Sequence, residues 1–127
     1  IVSWPKNTPE GMVDESSVIH GTDWLPNLAS LCRIELPEGR YDGTDVKSAF
    51  LGKKFQRKKD IYWTQAGSVA ILKDNWKGIL MKGGEFKLYD IEKDPEEANM
   101  LNASYPDVAS EIEQCILDWK EQIQIRN

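Results

Sequence analysis

Residues 61–91, IYWTQAGSVAILKDNWKGILMKGGEFKLYDI, have the clearest secondary-structure pattern in this chain. The stretch contains four β-prone runs, which are IYWTQ, SVAILKDN, WKGILMKG and EFKLYDI. Short turn sequences separate the runs, at Ala66-Gly67, Asp74-Asn75 and Gly83-Gly84. Because Asn and Gly tolerate positive φ angles, the second and third of these pairs suit tight hairpin turns. The pattern predicts three or four antiparallel strands.

A long helix is predicted to follow these strands. Ser104 and Asp107 resemble a capping box, and Pro106 suits the first helical turn, where its missing N–H is no loss. Apolar residues then recur at spacings of three and four, at Val108, Ile112, Cys115, Ile116, Trp119 and Ile123. They form one stripe on a helix of about 18 residues. We expect this stripe to pack on a sheet face made by Tyr62, Val69, Ile71, Ile79, Met81 and Leu88, in an α+β fold.

The first half of the chain is predicted to be richer in loops. Ile1 to Trp4 form a short β-prone run that Pro5 ends, and a polar loop follows. Thr22 or Asp23 can then cap a helix that should end near Arg33. Its periodic apolar residues are Trp24, Leu25, Leu28, Leu31 and Cys32. Residues 37–60 contain several Pro and Gly residues, with a short helical possibility at VKSAFL, residues 46–51.

Composition restricts the partners and the class of protein. The chain has 127 residues, a net charge of −5 and a pI near 4.9, which argues against binding to nucleic acid. The basic run KKFQRKK, residues 53–59, is interpreted as a solvated loop rather than an RNA or membrane patch. No apolar run approaches the ~18 residues that span a bilayer. Cys32 and Cys115 permit one disulfide at most, and we expect both to be small buried hydrophobic residues.

The acidic stretch LYDIEKDPEEANML, residues 88–101, is the first candidate for chemistry. It raises three possibilities, a metal-binding loop, a catalytic carboxylate pair or a charged turn. An EF-hand loop needs a Gly for its sharp turn, and no Gly follows Gly84. We therefore favour a turn that starts at Asp94-Pro95, whose acids are solvated or cap N–H groups, with Met100-Leu101 as its apolar anchor.

Two other candidates are weighed against structural roles. The one histidine, His20, could form a triad with Ser16, Ser17 or Cys32 and with Asp23, but no spacing enforces this geometry. A structural, hydrogen-bonded histidine is favoured. Five Trp residues are dispersed along the chain. Core packing is predicted for Trp24 and Trp119, while Trp63 and Trp76 stay open as carbohydrate contacts.

Several segments, taken in order, resemble one known family. They are IVSWP, VIHGTDWLPNLASL, LPEGRYDGTDVKSAFLGK, IYWTQAGSVAILKDNWKGIL, KLYDIEKDPEEANML and SYPDVASEIEQCILDWK. The series resembles the C-terminal part of a type I, formylglycine-dependent sulfatase, and is most similar to the arylsulfatase B-like group. The resemblance runs over essentially the whole chain. The motifs that carry it are Asp23-Trp24-Leu25-Pro26, Asp42-Gly43, Asn75-Trp76-Lys77, Leu88-Tyr89-Asp90 and Asp94-Pro95.

The resemblance implies a fold in two parts. Residues 1–56 would be the end of an alkaline-phosphatase-like α/β domain with its connecting segment, entered by a strand, a loop and a helix. Residues 57–127 would be a C-terminal subdomain of about four antiparallel strands against a terminal helix. The opening IVSWP, which lacks an initiator Met, fits a chain that is cut from something longer.

The resemblance also implies an activity for the parent protein, which would hydrolyse sulfate esters. The nucleophile of such enzymes is a formylglycine made from Cys or Ser in a Cys-x-Pro-x-Arg type motif, beside a calcium ion. Cys32 does not match this motif because Arg-Ile-Glu-Leu follows it. No catalytic residue, metal ligand or cofactor is therefore expected in these 127 residues, and the chain alone should be inactive.

The remaining implications concern substrate and partners. In the segment that matches Trp63–Gly67, relatives carry a polar residue near the mouth of the active site, and Gln65 and Ser68 are the predicted substrate contacts here. The expected partners are the remainder of the sulfatase chain and a sulfated small molecule or glycan, with no nucleic acid or membrane. Family analogy implies a periplasmic, secreted or lysosomal protein. The alternative is a free-standing α+β module that binds carbohydrate through Trp63 and Trp76, without enzymatic activity.

Overall fold

A computed structural model describes residues 2–124, and of Gln124 only its backbone. The chain divides between Lys59 and Asp60 into two compact units. The first unit contains the helices α1, Trp24–Cys32, and α2, Lys47–Phe50. The second unit contains β1, Ile61–Gln65, β2, Ser68–Lys73, β3, Trp76–Leu80, β4, Phe86–Asp90, and α3, Pro106–Gln124.

The predicted α+β class is confirmed, with a four-stranded antiparallel sheet and a long helix after it. The predicted parts 1–56 and 57–127 divide the chain at a slightly different place from the two units. Assignment of the first part to the end of an α/β domain stays a prediction. Within residues 2–124, no helix combines the length and the apolarity that crossing a membrane would require.

Residues 2–4 form no strand, and a turn follows them. The carbonyl of Trp4 accepts backbone hydrogen bonds from Asn7 and Thr8, both at 2.9 Å. This turn begins at Pro5, and residues 2–4 before it pair with none of the four strands of the sheet. The prediction of a strand at Ile1 to Trp4 is therefore wrong for Val2 to Trp4, and Ile1 lies outside the described residues.

Helix α1 begins and ends close to the predicted residues. A 3-10 turn at Gly21–Asp23 precedes it, and His20 caps this turn. The helix ends at Cys32 because Arg33 adopts a left-handed conformation, with φ of 56°. The short helix predicted within VKSAFL is confirmed as α2.

The side chains of α1 face the opposite way from the prediction. Trp24, Leu25 and Leu28 are 51%, 55% and 48% exposed, whereas Asn27 and Ala29 are buried. Core packing was predicted for Trp24, and this prediction is wrong. Trp24 makes an edge contact with Phe50, with ring centroids 5.5 Å apart, and otherwise keeps half of its surface in solvent.

The sheet is a meander in which each strand pairs with its neighbour in the sequence, in the order β1-β2-β3-β4. Asp74, in the second turn, has a φ of 53°, and Gly84, in the third, has a φ of 89°. These angles explain the turn residues, since Asn, Asp and Gly adopt positive φ most readily.

Helix α3 packs on one face of the sheet and forms the core of the second unit. The buried members of this core are Val69, Ile71, Leu80, Leu88, Ala109, Ile112 and Ile116. Tyr62 stacks on Trp119 of α3, with centroids 4.9 Å apart and planes 6° from parallel. This contact confirms the predicted packing role of Trp119, and burial raises the pKa of Tyr62 to about 12.

Ile79 and Met81 do not lie on the predicted sheet face, because the alternation of side chains along β3 is shifted by one residue from the prediction. Gly78 pairs with Ile71 on β2 and with Leu88 on β4, so it lies beneath α3. Ile79 is its neighbour and therefore points to the opposite face. Met81 follows the end of β3 and is 38% exposed. Leu80 and Phe86 take their places against the helix.

The start of α3 differs from the predicted capping box. The helix begins at Pro106, as expected for a proline in a first turn, so Tyr105 is the residue directly before it. Ser104 lies in the preceding turn, where its N–H donates to the carbonyl of Leu101 at 3.0 Å. The prediction that Ser104 caps the helix is therefore wrong, because the turn at Leu101 delays the helix by one residue.

Candidate functional site

The hairpin between β1 and β2 holds both predicted substrate contacts. Gln65 is the last residue of β1 and lies opposite Ser68, the first residue of β2. Ala66 and Gly67 between them have φ angles of 51° and 86°. Two positive φ angles are what a two-residue turn needs to match the twist of the strands. The structure therefore brings Gln65 and Ser68 together at one end of the sheet, while their contact with a substrate stays a prediction.

The two side chains differ in what they can offer to a ligand. Gln65 is exposed, and its amide can donate and accept hydrogen bonds. Ser68 is half-buried, and its Oγ accepts a hydrogen bond from the backbone N–H of Lys82 at 3.1 Å. The Ser68 hydroxyl can still donate its own proton. Gln65 is thus the more accessible contact, and Ser68 ties the hairpin to the turn after β3.

Trp63 and Lys77 lie on the same face of the sheet as Gln65. Alternation along β1 places Trp63 and Gln65 on one face, which is the face opposite α3. The ammonium of Lys77 lies 5.8 Å from the centre of the Trp63 ring, within reach of a cation–π contact. Lys77 also forms an ion pair with Glu97, a residue in the left-handed conformation with φ of 56°. This ion pair holds the lysine beside the indole.

We name Trp63, Gln65, Ser68 and Lys77 the hairpin face. It combines an aromatic ring with an amide, a hydroxyl and a partnered ammonium. Aromatic surface with a few placed polar groups is typical of sites that bind and orient a small ligand. The amide of Gln65 cannot carry a proton at neutral pH. The hairpin face is therefore suited to binding rather than to proton transfer.

Trp76 lies on the other face of the sheet. Its ring packs against Tyr105, with centroids 5.1 Å apart, and it borders the core under α3. Because Trp63 and Trp76 are on opposite faces, they cannot form one stacking platform. The alternative in which a carbohydrate binds through both residues is therefore wrong in that form, and of the two only Trp63 lies on the same face of the sheet as Gln65.

The acidic stretch forms the predicted charged turn. The carboxylate of Asp94 accepts hydrogen bonds from the backbone N–H groups of Asn99 at 2.7 Å and Ala98 at 3.2 Å. These bonds, the first above all, lower the pKa of Asp94 below its usual value. They confirm that Asp94 caps neighbouring N–H groups. Leu101 returns to β4, where its N–H donates to the carbonyl of Leu88 at 2.9 Å, but Met100 is 56% exposed, so the prediction of an apolar anchor is wrong for Met100.

Asp90, at the end of β4, is the buried acid of this stretch. It is 2% exposed and accepts a hydrogen bond from the ammonium of Lys93 at 2.8 Å. This bond, followed by one from the side chain of Asn75, lowers the pKa of Asp90. Within residues 2–124, no group of three or more His, Cys, Asp or Glu side chains is arranged to hold a metal ion.

Asp23 joins the two sequence motifs of the first unit that the family resemblance singled out. It is fully buried and accepts hydrogen bonds from the N–H of His20 at 2.7 Å and of Thr44 at 2.8 Å. It also pairs with the guanidinium of Arg57, from the basic run. Gly43 lies so close that a Cβ there would be 2.0 Å from the carbonyl oxygen of Thr22. Asp23 therefore serves the packing of the first unit.

The remaining reactive residues have structural surroundings. Ser16 and Ser17 donate their N–H groups to Asp14, each at 2.9 Å. The nearby Ser17 side chain, the largest of the causes, and these backbone bonds lower the pKa of Asp14 to about 2. Cys32 is exposed and Cys115 is partly buried, so the prediction that both are buried is wrong for Cys32. Cys32 ends α1 beside Arg33, outside any motif for conversion to formylglycine.

The sequence did not identify Lys77 as a member of the hairpin face, or Glu97 as the partner of Lys77. The alternation of WKGIL would place Lys77 on the face opposite Gly78, so its side of the sheet could have been predicted. Its neighbours could not, because Trp63 and Glu97 are distant in the sequence and meet Lys77 only through the strand register and the turn after β4.

Comparison of the sequence with family models and with curated proteins finds no match. Solved structures do share the fold, and sulfatases are among them. A Bacteroides thetaiotaomicron protein, described as BT33336S-sulf in work on the metabolism of multiple glycosaminoglycans, is 25% identical with a TM-score of 0.64, over 78% of this chain and 24% of its own. A 2-O GAG sulfatase is 23% identical with a TM-score of 0.61, over 79% and 24%. The protein Ps i-CgsB is 24% identical with a TM-score of 0.77, over 91% and 27%.

The chain thus spans about a quarter of the length of the solved structures that it matches. The phosphonate monoester hydrolase of Agrobacterium radiobacter has the same fold at 19% identity, with a TM-score of 0.52. The fold is therefore found in enzymes that act on more than one kind of ester.

Proposed function

We propose that this chain is the C-terminal part of a sulfatase, in which it shapes the substrate pocket and supplies no catalytic residue. The observation that carries the proposal is the shared fold with sulfatases over about a quarter of their length. The ordered motifs of the sequence support the same family, in its arylsulfatase B-like group. Formylglycine and calcium would belong to the remainder of the parent chain, which would be the principal partner of this part.

The hairpin face is the proposed point of contact with substrate. Gln65 is exposed at the end of β1, next to a two-residue turn, and Ser68 and Trp63 lie on the same face of the sheet. An amide in this position can exchange hydrogen bonds with sugar hydroxyls, and an indole can cover the apolar side of a sugar ring. The substrate class is therefore a sulfated glycan, and a location outside the cytoplasm, in the periplasm, the lysosome or the medium, is consistent with such a substrate.

The family assignment is tested by the coding sequence upstream of Ile1. The proposal expects one open reading frame that encodes a Cys-x-Pro-x-Arg type motif, or its Ser equivalent, before this chain. A reading frame that starts within a few codons of Ile1 would refute the sulfatase proposal for this gene product.

The role of Gln65 is tested in the longer polypeptide by Gln65→Ala. One lost neutral hydrogen bond corresponds to about a 2- to 12-fold change in binding. We expect a rise in KM of that size for a sulfated disaccharide, with a much smaller change for a simple aryl sulfate that has no sugar. Gln114→Ala, at an exposed position on α3, is the matched control and should leave both values unchanged. An unchanged KM for the disaccharide would contradict the contact.

The second candidate is a carbohydrate-binding module without enzymatic activity, and the position of Trp63 on the hairpin face favours it. The two candidates differ in what the 127-residue chain can do alone. A module would bind glycans by itself and lose this binding in Trp63→Ala. The sulfatase proposal expects no measurable glycan binding by the isolated chain, because most of the pocket would belong to the rest of the enzyme.

A further inference from the structure

Helix α1 exposes apolar side chains and buries a polar one. At about 100° per residue, Trp24, Leu25, Leu28 and Cys32 fall within about a quarter of the helix circumference. All four are exposed, whereas the polar Asn27 is fully buried. We name these four residues the α1 face. A helix at a protein surface normally turns its apolar stripe inward and its polar residues outward.

The sequence of α1 adds a second observation. WLPNLASLC contains no charged residue, so the exposed side of the helix has no group that favours water strongly. Surface helices usually carry charged side chains on their solvated face. The α1 face is therefore composed like an interior surface, although Trp24, Leu25 and Leu28 each keep about half of their surface exposed.

The first unit as a whole also exposes more large hydrophobic side chains than it buries. Among the described residues, nine of the thirteen exposed large hydrophobic side chains belong to the first unit, and its buried hydrophobic residues are only Ala29, Val46 and Phe50. Of these nine, Trp24, Leu25 and Leu28 lie on one side of one helix, and exposed apolar residues that lie together mark a site of interaction. The second unit, in contrast, has a continuous core between its sheet and α3.

We infer that the α1 face docks on the part of the longer polypeptide that this chain lacks, and that it is the principal contact through which the first unit is held there. The inference rests on the proposed function, since the chain spans 24% to 27% of the solved structures that it matches. An uncharged apolar face fits an apolar surface of the same protein. It does not fit a polyanionic glycan, which would require basic side chains.

Cys32 provides a direct probe because it is an exposed member of the α1 face. The experiment compares thiol labelling of the 127-residue chain with that of the longer polypeptide, using a small maleimide and peptide mass spectrometry. We expect Cys32 to react at least about tenfold more slowly in the longer polypeptide, because a docked face must open before it is labelled. Cys115, on α3 and partly buried in the second unit, is the internal control and should react equally in both.

Equal labelling of Cys32 in the two proteins would overturn the inference. Protection of Cys32 in the 127-residue chain that rises with protein concentration would also overturn it, because a second copy would then be the occupant. The docking and the proposed function can be refuted separately. Sulfatase activity in a longer polypeptide with a reactive Cys32 would refute the docking alone, and a protected Cys32 without such activity would refute the function alone.

A pair of variants tests the same surface without a thiol. Leu28→Glu places a charge on the α1 face, and Leu117→Glu places one at an exposed position of α3, where Leu117 is 39% exposed. We expect Leu28→Glu to make the longer polypeptide at least about tenfold more sensitive to limited proteolysis. It should leave the 127-residue chain as resistant as before. Leu117→Glu should change neither protein, and equal effects of both variants in the longer polypeptide would contradict the docking.

Discussion

Asp23 illustrates at the scale of one residue how the first unit is held together. Its side chain is 1% exposed and that of its partner Arg57 is 9% exposed, so solvent screens the pair little. The carboxylate also accepts two backbone N–H groups, which satisfies its remaining oxygen positions. A buried charge is tolerated only when it is compensated in this way.

Asp23→Asn keeps the shape of the side chain but leaves the charge of Arg57 uncompensated. We expect it to lower the free energy of unfolding of the first unit by about 3 kcal/mol, as measured by urea titration. Asp45→Asn, at an exposed position of the same unit, should cost less than about 1 kcal/mol. A double variant with Arg57→Met should cost less than the sum of its single changes. A value for Asp23→Asn no larger than that of the control would contradict the role of the ion pair.

Asp94 makes the stability of the second unit depend on pH. Because backbone hydrogen bonds lower its pKa in the folded state, the charged form stabilises the fold. This contribution is present above the ordinary Asp pKa of about 4 and is lost as the pH falls through the lowered value.

Asp94→Asn removes this dependence. The variant should melt about 3 to 8 °C lower than the native chain at pH 7, and the difference should shrink as the pH falls from about 5 to about 2. Glu96→Gln removes an exposed carboxylate from the same turn and is the matched control. A melting difference for Asp94→Asn that is constant over the whole pH range would show that the carboxylate charge is not the cause.

At the scale of elements, the contact between β3 and α3 depends on a residue without a side chain. A Cβ at Gly78 would lie 2.4 Å from Cγ2 of Ile112 and 3.1 Å from Cγ2 of Ile71. Real atoms do not approach so closely, so the helix can rest on the sheet only because this position is glycine.

Gly78→Ala should therefore lower the free energy of unfolding of the second unit by about 1 to 3 kcal/mol. Gly83→Ala is the control, because a Cβ there meets nothing within 4 Å. The double variant Gly78→Ala with Ile112→Ala should cost less than the sum of the two single changes, because removing the Ile112 side chain makes room for the new methyl group. Additive effects of the two changes would contradict the close contact.

The sequence allowed the strands, their turns and the terminal helix to be predicted, but not the face of every strand. Turn residues fixed the boundaries of the hairpins, and the spacing of three and four fixed α3. The sequence predicted the wrong face for Ile79 and Met81, because both are apolar and Gly78 between the strand residues has no side chain that would indicate a buried position. Pairing with Ile71 and Leu88 decides the face, and this information lies in other strands.

The candidate site was predictable to a similar extent. The pair Gln65 and Ser68 flanks a turn that the sequence indicated, so their proximity followed from the hairpin. The contact of Trp63 with Lys77 depends on register across three strands, and the ion pair of Lys77 with Glu97 depends on the course of the turn after β4. Neither follows from local spacing.

At the scale of the whole molecule, the two units differ in how completely they bury their apolar residues. The spacing of apolar residues correctly identified an apolar stripe on α1, but it does not identify the surface that packs against this stripe. The second unit covers its stripe with its own sheet. The first unit leaves Trp24, Leu25 and Leu28 about half exposed. This difference agrees with a chain that spans about a quarter of the length of its structural relatives.

Release of inorganic sulfate would distinguish a sulfatase from a binding module. The longer polypeptide and the 127-residue chain would each be given a sulfated disaccharide, an aryl sulfate and a phosphonate monoester, with calcium present. We expect the longer polypeptide to release sulfate and to act more slowly on the phosphonate, and the 127-residue chain to act on none of the three. A folded longer polypeptide that releases no sulfate, or a 127-residue chain that turns over either sulfate ester by itself, would contradict the account.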